Sequence, residues 1–307
     1  MKTVFGEGQF RWYATATSDT GGLKRLASQF NIDQEILTYA QDPHERAHVE
    51  YDADTGTFLL IFNVAHREKI ENHYDASPMT FIVKDHELFT INDEHTSYVN
   101  DLIAGFVKAH PEVTPIELLF NALFLVSDAF FPLVQDVDAE WRHYTSSLRE
   151  RTTKSKLLEL SDLGIGLIYL VAAAKQNAVV IRQIKVQQPY HRLSDSAREQ
   201  LDDAEIEANQ LVEMTEMSSQ IIGQLSDTYN NVLNNNLNDI MRFMTVWSLL
   251  LAIPTIVTGF FGMNVALPLE NAPHAWLIVT GIAAVLWLAM GLMLRHSMRK
   301  CNHMLHP

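Results

Sequence analysis

Two long apolar segments near the C-terminal end of the chain limit its possible folds more than any other feature. Residues 244–261 carry only four polar side chains, all Ser or Thr, and residues 275–294 carry only one. Each segment is close to the ~20 apolar residues that a helix needs to cross the ~30 Å hydrocarbon core of a bilayer. The sequence therefore predicts two membrane-spanning helices joined by a short loop.

Basic residues near the ends of these segments predict the orientation. Arg242 precedes the first segment, whereas Arg295, Arg299 and Lys300 follow the second, and the loop between them has neither Lys nor Arg. Since cytoplasmic loops are enriched in basic residues, both termini are expected in the cytoplasm, with the protein in an inner or plasma membrane. The first residues lack the apolar core of a secretory signal, so we expect the C-terminal spans to direct insertion.

Charge and composition exclude several function classes. The formal net charge is -14, which disfavours nucleic-acid binding because a phosphate backbone needs clustered Lys and Arg. A negatively charged surface is expected to attract cations. The single cysteine, Cys301, excludes an intrachain disulfide and a multi-cysteine metal site. The sequence has no Gly-rich phosphate loop and no nucleophile elbow, so we predict no nucleotide hydrolysis, no enzymatic activity and no organic cofactor.

The rest of the chain predicts an α+β protein. Residues 1–112 mix strand and helix signals: strands at 11–17 and 58–64, a hairpin at 79–91 turning at residues 85–87, and helical periodicity at 23–40. A helical region follows over residues 113–242. The expected continuation is a pore-lining span at 243–262, an outer loop at 263–274, a second span at 275–294 and a basic tail at 295–307.

Capping signals divide the helical region. Thr114, Pro115 and Glu117 have the spacing of a capping box with Pro at the first helical position, which predicts a helix to about residue 151. A second helix is expected over about 154–188, and a third from Ser196. The third is not interrupted by Pro until Pro254, so it is predicted to continue from the cytoplasm through the membrane as a stalk on the order of 100 Å long.

One face of this long helix is polar or small along most of its length. Alternating steps of three and four residues define the face, which we call the polar stripe. Its members are Asp227, Asn231, Asn234, Asn238, Met241, Thr245, Ser248, Ala252, Thr255 and Gly259. Polar side chains in hydrocarbon turn toward protein or water, because an unsatisfied polar group there costs several kcal/mol. Since two spans cannot enclose water alone, the stripe predicts a symmetric oligomer with the first span around the axis.

The stripe has a second interpretation. Small residues at this spacing also let membrane helices pack closely, with no water involved. The six asparagines from residue 230 to residue 238 favour a pore. Asn is a poor helix former, so its repeated use within a helix indicates a function beyond solvation. Their amide oxygens would replace outer-shell water around a hydrated cation. The alternative for these asparagines, and for Asp227, is an ordinary solvated helix surface.

Gly262, Met263 and Asn264 follow the first span directly. A Gly-Met-Asn tripeptide between two C-terminal spans resembles the signature of the CorA family of divalent-cation channels, and the spacing back to Met241 and Asn238 also matches that family without a gap. The resemblance covers the layout of the whole chain, although specific motifs occur only in about the last seventy residues.

The resemblance implies a homopentamer in membrane lipid with a central pore. Gly262 and Asn264 would receive the hydrated ion at the outer mouth, and Asn238 and Met241 would form the cytoplasmic constriction. The expected substrate is Mg²⁺, with Co²⁺ or Ni²⁺ as further ions, entering down its electrochemical gradient. Amide and carbonyl oxygens suit Mg²⁺, which loses its water slowly.

The resemblance also implies gating by an intracellular divalent ion, with Mg²⁺ as the regulatory ligand. Acids on the stalk would hold this ion, and Asp202 and Asp203 are the candidates. The alternative is that these acids are only the wet face of a long helix. This chain departs from the family's pattern in two places, which limits the selectivity that the resemblance implies. The outer loop holds only Glu270 as an acid. The family's narrow hydrophobic gate positions are filled by Met244 and the smaller Ala252.

Three rival functions remain open. A ZntB-like zinc transporter, with or without proton coupling, would share the fold, although that branch commonly has a small aliphatic residue at the position of Met263. His44, Glu45 and His48 match the H-E-x-x-H pattern of zinc proteases, but Pro43 and nearby strand signals leave little room for the required helix. The third rival is a scaffold that uses the spans only as an anchor.

Overall fold

The computed structural model describes residues 2–150, 154–187, 190–191, 193–263 and 274–305. The chain divides into two compact units, Met1–Tyr229 and Asn230–Pro307. The six strands are β1 (Lys2–Phe5), β2 (Phe10–Ala16), β3 (His48–Asp52), β4 (Thr57–Ala65), β5 (Ala76–Lys84) and β6 (Glu87–Asn92). The eight helices are α1 (Thr20–Phe30), α2 (Gln34–Gln41), α3 (Tyr98–Ala109), α4 (Pro115–Asp128), α5 (Phe131–Glu150), α6 (Lys154–Ile184), α7 (Asp195–Phe261) and α8 (Ala275–Leu305).

The first unit is built on one six-stranded sheet with the order β1-β2-β6-β5-β4-β3. Only the β2–β6 pair is parallel; the other four pairs are antiparallel. The centre of the sheet is buried on both faces, and every residue of β4 is buried. This explains why β4 reads as a continuous apolar run instead of an alternating one.

Alternate residues of β4 enter two different cores. Leu60 and Phe62 pack in the larger core with side chains from α3 to α7, whereas Leu59 and Ile61 pack in the smaller core with α1 and α2. The predicted strands and the hairpin at Asp85 and His86 are confirmed by β2, β4, β5 and β6. The mixed sheet followed by long helices confirms the α+β fold.

Two predicted helices are divided in the structure. The single helix expected from residue 114 to 151 is wrong, since α4 ends at Asp128 and α5 begins at Phe131. Pro132 has no N–H for the carbonyl of Asp128, and its ring would clash there. The helical segment 23–40 is also divided: Asn31 takes a left-handed conformation (φ 50°), and the Asp33 carboxylate accepts a hydrogen bond from the N–H of Glu35, starting α2.

The capping prediction for α4 is confirmed, because the Thr114 and Glu117 side chains exchange hydrogen bonds with each other's backbone N–H. The start of α7 differs slightly from the prediction. The helix begins at Asp195, and the hydroxyl of Ser194, not Ser196, accepts the hydrogen bond from the N–H of Ala197. The predicted continuity of this helix is confirmed: α7 has 67 residues and contains Pro254.

Four helical segments are long and apolar enough to cross a membrane by length and composition: Pro115–Thr145, Leu158–Ile184, Asp195–Phe261 and Trp276–His296. Burial separates them. The apolar windows of the first two are 50% buried, because they belong to the core of the first unit, whereas those in α7 and α8 are 6% and 0% buried. A soluble protein does not leave such surface in water, so α7 and α8 carry the two predicted spans.

A buried amide joins the sheet to α6. Pairing of β3 with β4 stops at His48 and Ile61, so the backbone of Asn63 lies beyond the end of β3. Asn177 of α6 takes the place of a strand there: its Oδ1 accepts from the N–H of Asn63 and its Nδ2 donates to the carbonyl of Asn63, both at 2.8 Å. Asn177 is 1% exposed, so both backbone groups depend on it.

We expect the substitution Asn177→Leu to weaken the local stability of β4. It keeps a similar volume but leaves two buried backbone groups without partners, which costs about 2–5 kcal/mol. Hydrogen-exchange mass spectrometry of the full-length protein should show faster exchange in peptides containing Asn63. Gln183→Leu, at an exposed site on the same helix, is the control and should change little. Unchanged protection in the Asn177 variant would contradict this role.

Candidate functional site

The face of α7 that carries the polar stripe makes no close packing within the chain. Every stripe residue from Asp227 to Gly259 is exposed, and so are Met244, Gly262 and Met263. The side of α7 that packs against α8 contains Leu250, Ile253 and Val257, of which Val257 is only 9% exposed. At ~100° per residue these positions lie nearly opposite the stripe. The second span therefore leaves the stripe free.

The hydroxyl groups of the stripe are oriented by their own helix. Thr245, Ser248 and Thr255 donate to the carbonyl oxygens four residues earlier, at 2.8, 2.9 and 2.9 Å. A hydroxyl has one proton, so after this bond it offers only lone pairs outward. Water molecules around a cation point their protons away from the ion. The stripe thus presents the acceptors that a hydrated cation needs.

The asparagine segment lies on α7 just before the predicted membrane-spanning portion. Its six asparagines are exposed, and within the described part of the chain their amides make no side-chain hydrogen bond. Asn231, Asn234 and Asn238 share the stripe face with the hydroxyls. Asn230, five helical turns before Ser248, lies on the same face, whereas Asn235 and Asn236 do not. The structure thus leaves the stripe amides available, as both the pore and the solvated-surface interpretations require.

The outer end of the first span depends on Gly262. Its N–H donates to the carbonyl of Thr258 at 2.9 Å, which closes the last turn of α7. A Cβ at this position would lie 3.0 Å from that carbonyl oxygen, a tight contact that a larger residue would relieve by a shift of a few tenths of an ångström. Met263 follows and is 48% exposed. Asn264 and Glu270 lie outside the described residues.

The two regulatory candidates on α7 differ in their surroundings. Asp202 is bound by Lys185, the residue that follows the end of α6. The Lys185 amine donates to Oδ1 of Asp202 at 2.5 Å and also pairs with Glu205. Burial alone would lower the pKa of Lys185, but the hydrogen bonds and charges of Asp202 and Glu205 outweigh burial and raise it. The lysine is therefore held in its charged form.

Asp203 is exposed and makes no ion pair among the described residues. Nearby, burial and the charge of Asp128 raise the pKa of Glu207. Lys185 thus compensates the charges of Asp202 and Glu205, whereas Asp203 has no cationic partner among the described residues. The sequence did not reveal Lys185, because its contact with α7 depends on how the chain turns and packs after α6.

The H-E-x-x-H segment is not helical. His44 lies in a turn and His48 begins β3, so the two imidazoles are not one helical turn apart. In addition, no group of three or more His, Cys, Asp or Glu side chains able to hold a metal ion occurs among the described residues. This geometry removes the basis for the zinc-protease alternative.

Comparisons with known proteins identify the family of this chain. The model of the family described as "CorA-like Mg2+ transporter protein" matches residues 7–296. The cobalt/magnesium transport protein CorA of Methanocaldococcus jannaschii is 21% identical over 281 residues, covering 90% of this chain and 86% of that protein.

Solved structures show the same architecture. The complete structure of the CorA magnesium transporter from M. jannaschii has a TM-score of 0.81 at 21% identity, covering 96% of this chain and 93% of that one. The full-length CmaX protein has a TM-score of 0.74 at 14% identity over 93% and 88%. The ZntB cytoplasmic domain from Vibrio parahaemolyticus has a TM-score of 0.54 at 12% identity over 74% and 88%.

The chain belongs to the CorA-like Mg²⁺ transporter family. The predicted family and fold are confirmed, and so is the prediction of a divalent-cation transporter, at the level of the family. The likeness to the ZntB domain concerns the fold alone. The roles of individual residues, from Asp227 to Asn264, stay predictions.

Proposed function

We propose that this protein is a homopentameric channel that passes hydrated Mg²⁺, and also Co²⁺ or Ni²⁺, into the cytoplasm. The observation that carries the proposal is the free stripe of α7: it lies on the predicted first span, nearly opposite the side that α8 covers, and its hydroxyls present lone pairs outward. A stripe of acceptors in hydrocarbon needs a polar environment, and several copies around an axis supply one.

The proposed path has an outer and an inner end. Gly262, Met263 and Asn264 form the outer mouth, where the ion arrives with its waters. The ion then passes Thr255, Ser248 and Thr245 and leaves by the Met241 and Asn238 rings, with Asp227 attracting cations beyond them. Met244 and Ala252 occupy the gate positions. Both termini are cytoplasmic in this orientation, as the basic residues beside the spans indicate.

The membrane potential supplies the driving force. A divalent ion moving inward through a negative potential of ~100 mV releases roughly 4.6 kcal/mol, twice the value for a single charge. No nucleotide hydrolysis is needed. A ZntB-like zinc transporter, with or without proton coupling, remains the second candidate because its cytoplasmic domain has the same fold, and Met263 favours magnesium.

Uptake into liposomes tests the function. We expect purified protein to admit Mg²⁺ when the potential is negative inside, and Asn264→Ala to lower the rate by about tenfold or more, since the hydrated ion loses an amide ligand at the mouth. Asn271→Ala, the same change in the same loop but outside the motif, is the matched control. Parallel assays with Zn²⁺, Co²⁺ and Ni²⁺, with and without a pH gradient, separate the two candidates. Uptake indifferent to Asn264→Ala would contradict a channel.

The regulatory part of the proposal concerns Asp203. In one chain the described residues bring no three metal ligands together, so a divalent ion at Asp203 would need ligands from a second copy. Internal Mg²⁺ would then bridge acids that otherwise repel each other and stabilise the closed state.

We expect Asp203→Asn to reduce the protection against limited proteolysis that Mg²⁺ gives the full-length protein. Asp202→Asn is the control and should retain that protection, because Lys185 already binds Asp202. Equal behaviour of the two variants, or full protection in Asp203→Asn, would show that Asp203 is part of an ordinary solvated surface.

A further inference from the structure

A buried histidine follows the last residue of β4. His66 is 4% exposed, and its Nε2 lies 2.7 Å from the hydroxyl oxygen of Ser77 in β5. The other ring nitrogen, Nδ1, is also buried and has no hydrogen-bond partner among the described residues. The ion path proposed along α7 does not involve this side chain. His66 is therefore a buried titratable group without an assigned role.

The contact with Ser77 fixes which nitrogen of the neutral ring carries the proton. A proton on Nδ1 would leave an N–H buried without an acceptor, which is rare in folded proteins. The proton therefore lies on Nε2, which donates to the Ser77 hydroxyl oxygen, and Nδ1 keeps a bare lone pair. Charging the ring would add the N–H at Nδ1. The fold thus accommodates His66 in its neutral form and not as an imidazolium.

A second imidazole covers His66 from the turn between β6 and α3. The ring centroids of His66 and His95 are 4.5 Å apart, and the ring planes are inclined by only 22°. His95 is exposed on its outer side, where its Nε2 lies 3.6 Å from a carboxylate oxygen of Glu94. Two charged rings at such a separation would repel each other, and burial of His66 strengthens the repulsion. The stack is therefore stable only while His66 is neutral.

The charged groups that act on His66 do so in opposite directions. Burial, followed by the charge of His95, lowers the pKa of His66. Asp75, just before β5, and Asp93, just after β6, raise this pKa, but by less, so it stays below its ordinary value. That ordinary value is about 6.5. The stability that the neutral ring contributes is therefore complete above about pH 6.5 and is lost as the pH falls from there through the lower pKa of the folded protein.

We propose that the stacked pair His66 and His95 is a proton-sensitive latch that holds the start of α3 against the end of β4. In acid His66 takes up a proton at Nδ1, the new N–H has no acceptor, and the charge repels His95. The turn of residues 93–97 then leaves the end of β4. The hydroxyl of Tyr98 donates to the carbonyl oxygen of Ala65, the residue before His66, at 2.9 Å. This hydrogen bond opens with the latch.

The rest of α3 limits the extent of the opening. Val99, Ile103 and Val107 are buried in the larger core, so the helix stays packed beyond its first turn. Within the preceding turn, Oδ1 of Asp93 accepts hydrogen bonds from the N–H and the hydroxyl of Thr96, both at 2.7 Å. These bonds do not involve either imidazole, so the turn keeps its own shape when it moves. The release is therefore local.

Hydrogen-exchange mass spectrometry of the full-length protein tests the latch at about pH 7.5 and about pH 5.5, which lie on either side of the pKa of free histidine. Labelling times are lengthened in acid to match the slower intrinsic exchange. We expect peptides covering residues 93–100 to lose protection at the lower pH, by up to about tenfold for each pH unit below the pKa of free histidine. Peptides from α4 should keep their protection.

The variant His66→Gln cannot take up a proton and should keep the same protection at both pH values. His110→Gln, at an exposed histidine beyond the other end of α3, is the matched control and should lose protection in acid as the wild type does. If His66→Gln lacks protection already at the higher pH, His95→Phe decides. It keeps an aromatic ring against His66 but carries no charge, so its loss in acid should be smaller than that of the wild type. Full protection of the wild type in acid, an equal loss in His66→Gln, or an undiminished loss in His95→Phe overturns the latch.

Discussion

The lack of hydrogen-bond partners in hydrocarbon is the constraint on which the rest of this structure depends. It makes the two spans helical, so that each backbone group finds its partner within its own segment. It also turns the Thr and Ser hydroxyls of α7 back to their own carbonyl oxygens. What remains outward is a row of oxygen lone pairs on a face that α8 does not cover. Such a row is what the proposed path for hydrated ions would use.

In the first unit, α7 makes a different set of contacts. There α6 and the residue that follows it supply lysine side chains to one flank of α7. Lys185, just after α6, pairs with Asp202 and Glu205, and Lys175 of α6 pairs with Glu216. The flank that faces away keeps Asp203 without a partner among the described residues. Acids that are neutralised hold two helices together, while acids that are left alone repel one another and attract cations. Position on the helix, more than the number of acids, decides which role each residue can take.

Much of this organisation could be predicted from the sequence because its signals are local. The strand β4, the hairpin between β5 and β6, the cap at Thr114 and the continuity of α7 each depend on nearby residues. The signal for the break at Pro132 is also local. However, the apolar periodicity continues across Pro132, so the sequence predicted one helix instead of two. Two contacts could not be predicted, because each joins residues that are apart in sequence. Asn177 binds the backbone of Asn63 across 114 positions, and Lys185 pairs with Asp202 across 17.

Reactivity of cysteines placed along α7 is the most direct test of a shared wet axis. In the Cys301→Ser background, Ser248→Cys and Thr255→Cys should react with a charged, water-soluble thiol reagent, and the reaction should block Mg²⁺ uptake. Leu288→Cys and Leu292→Cys on α8 are the controls, because both positions are exposed in the chain but would face lipid. If the stripe cysteines react no faster than these two, no aqueous path follows the stripe and the account is wrong.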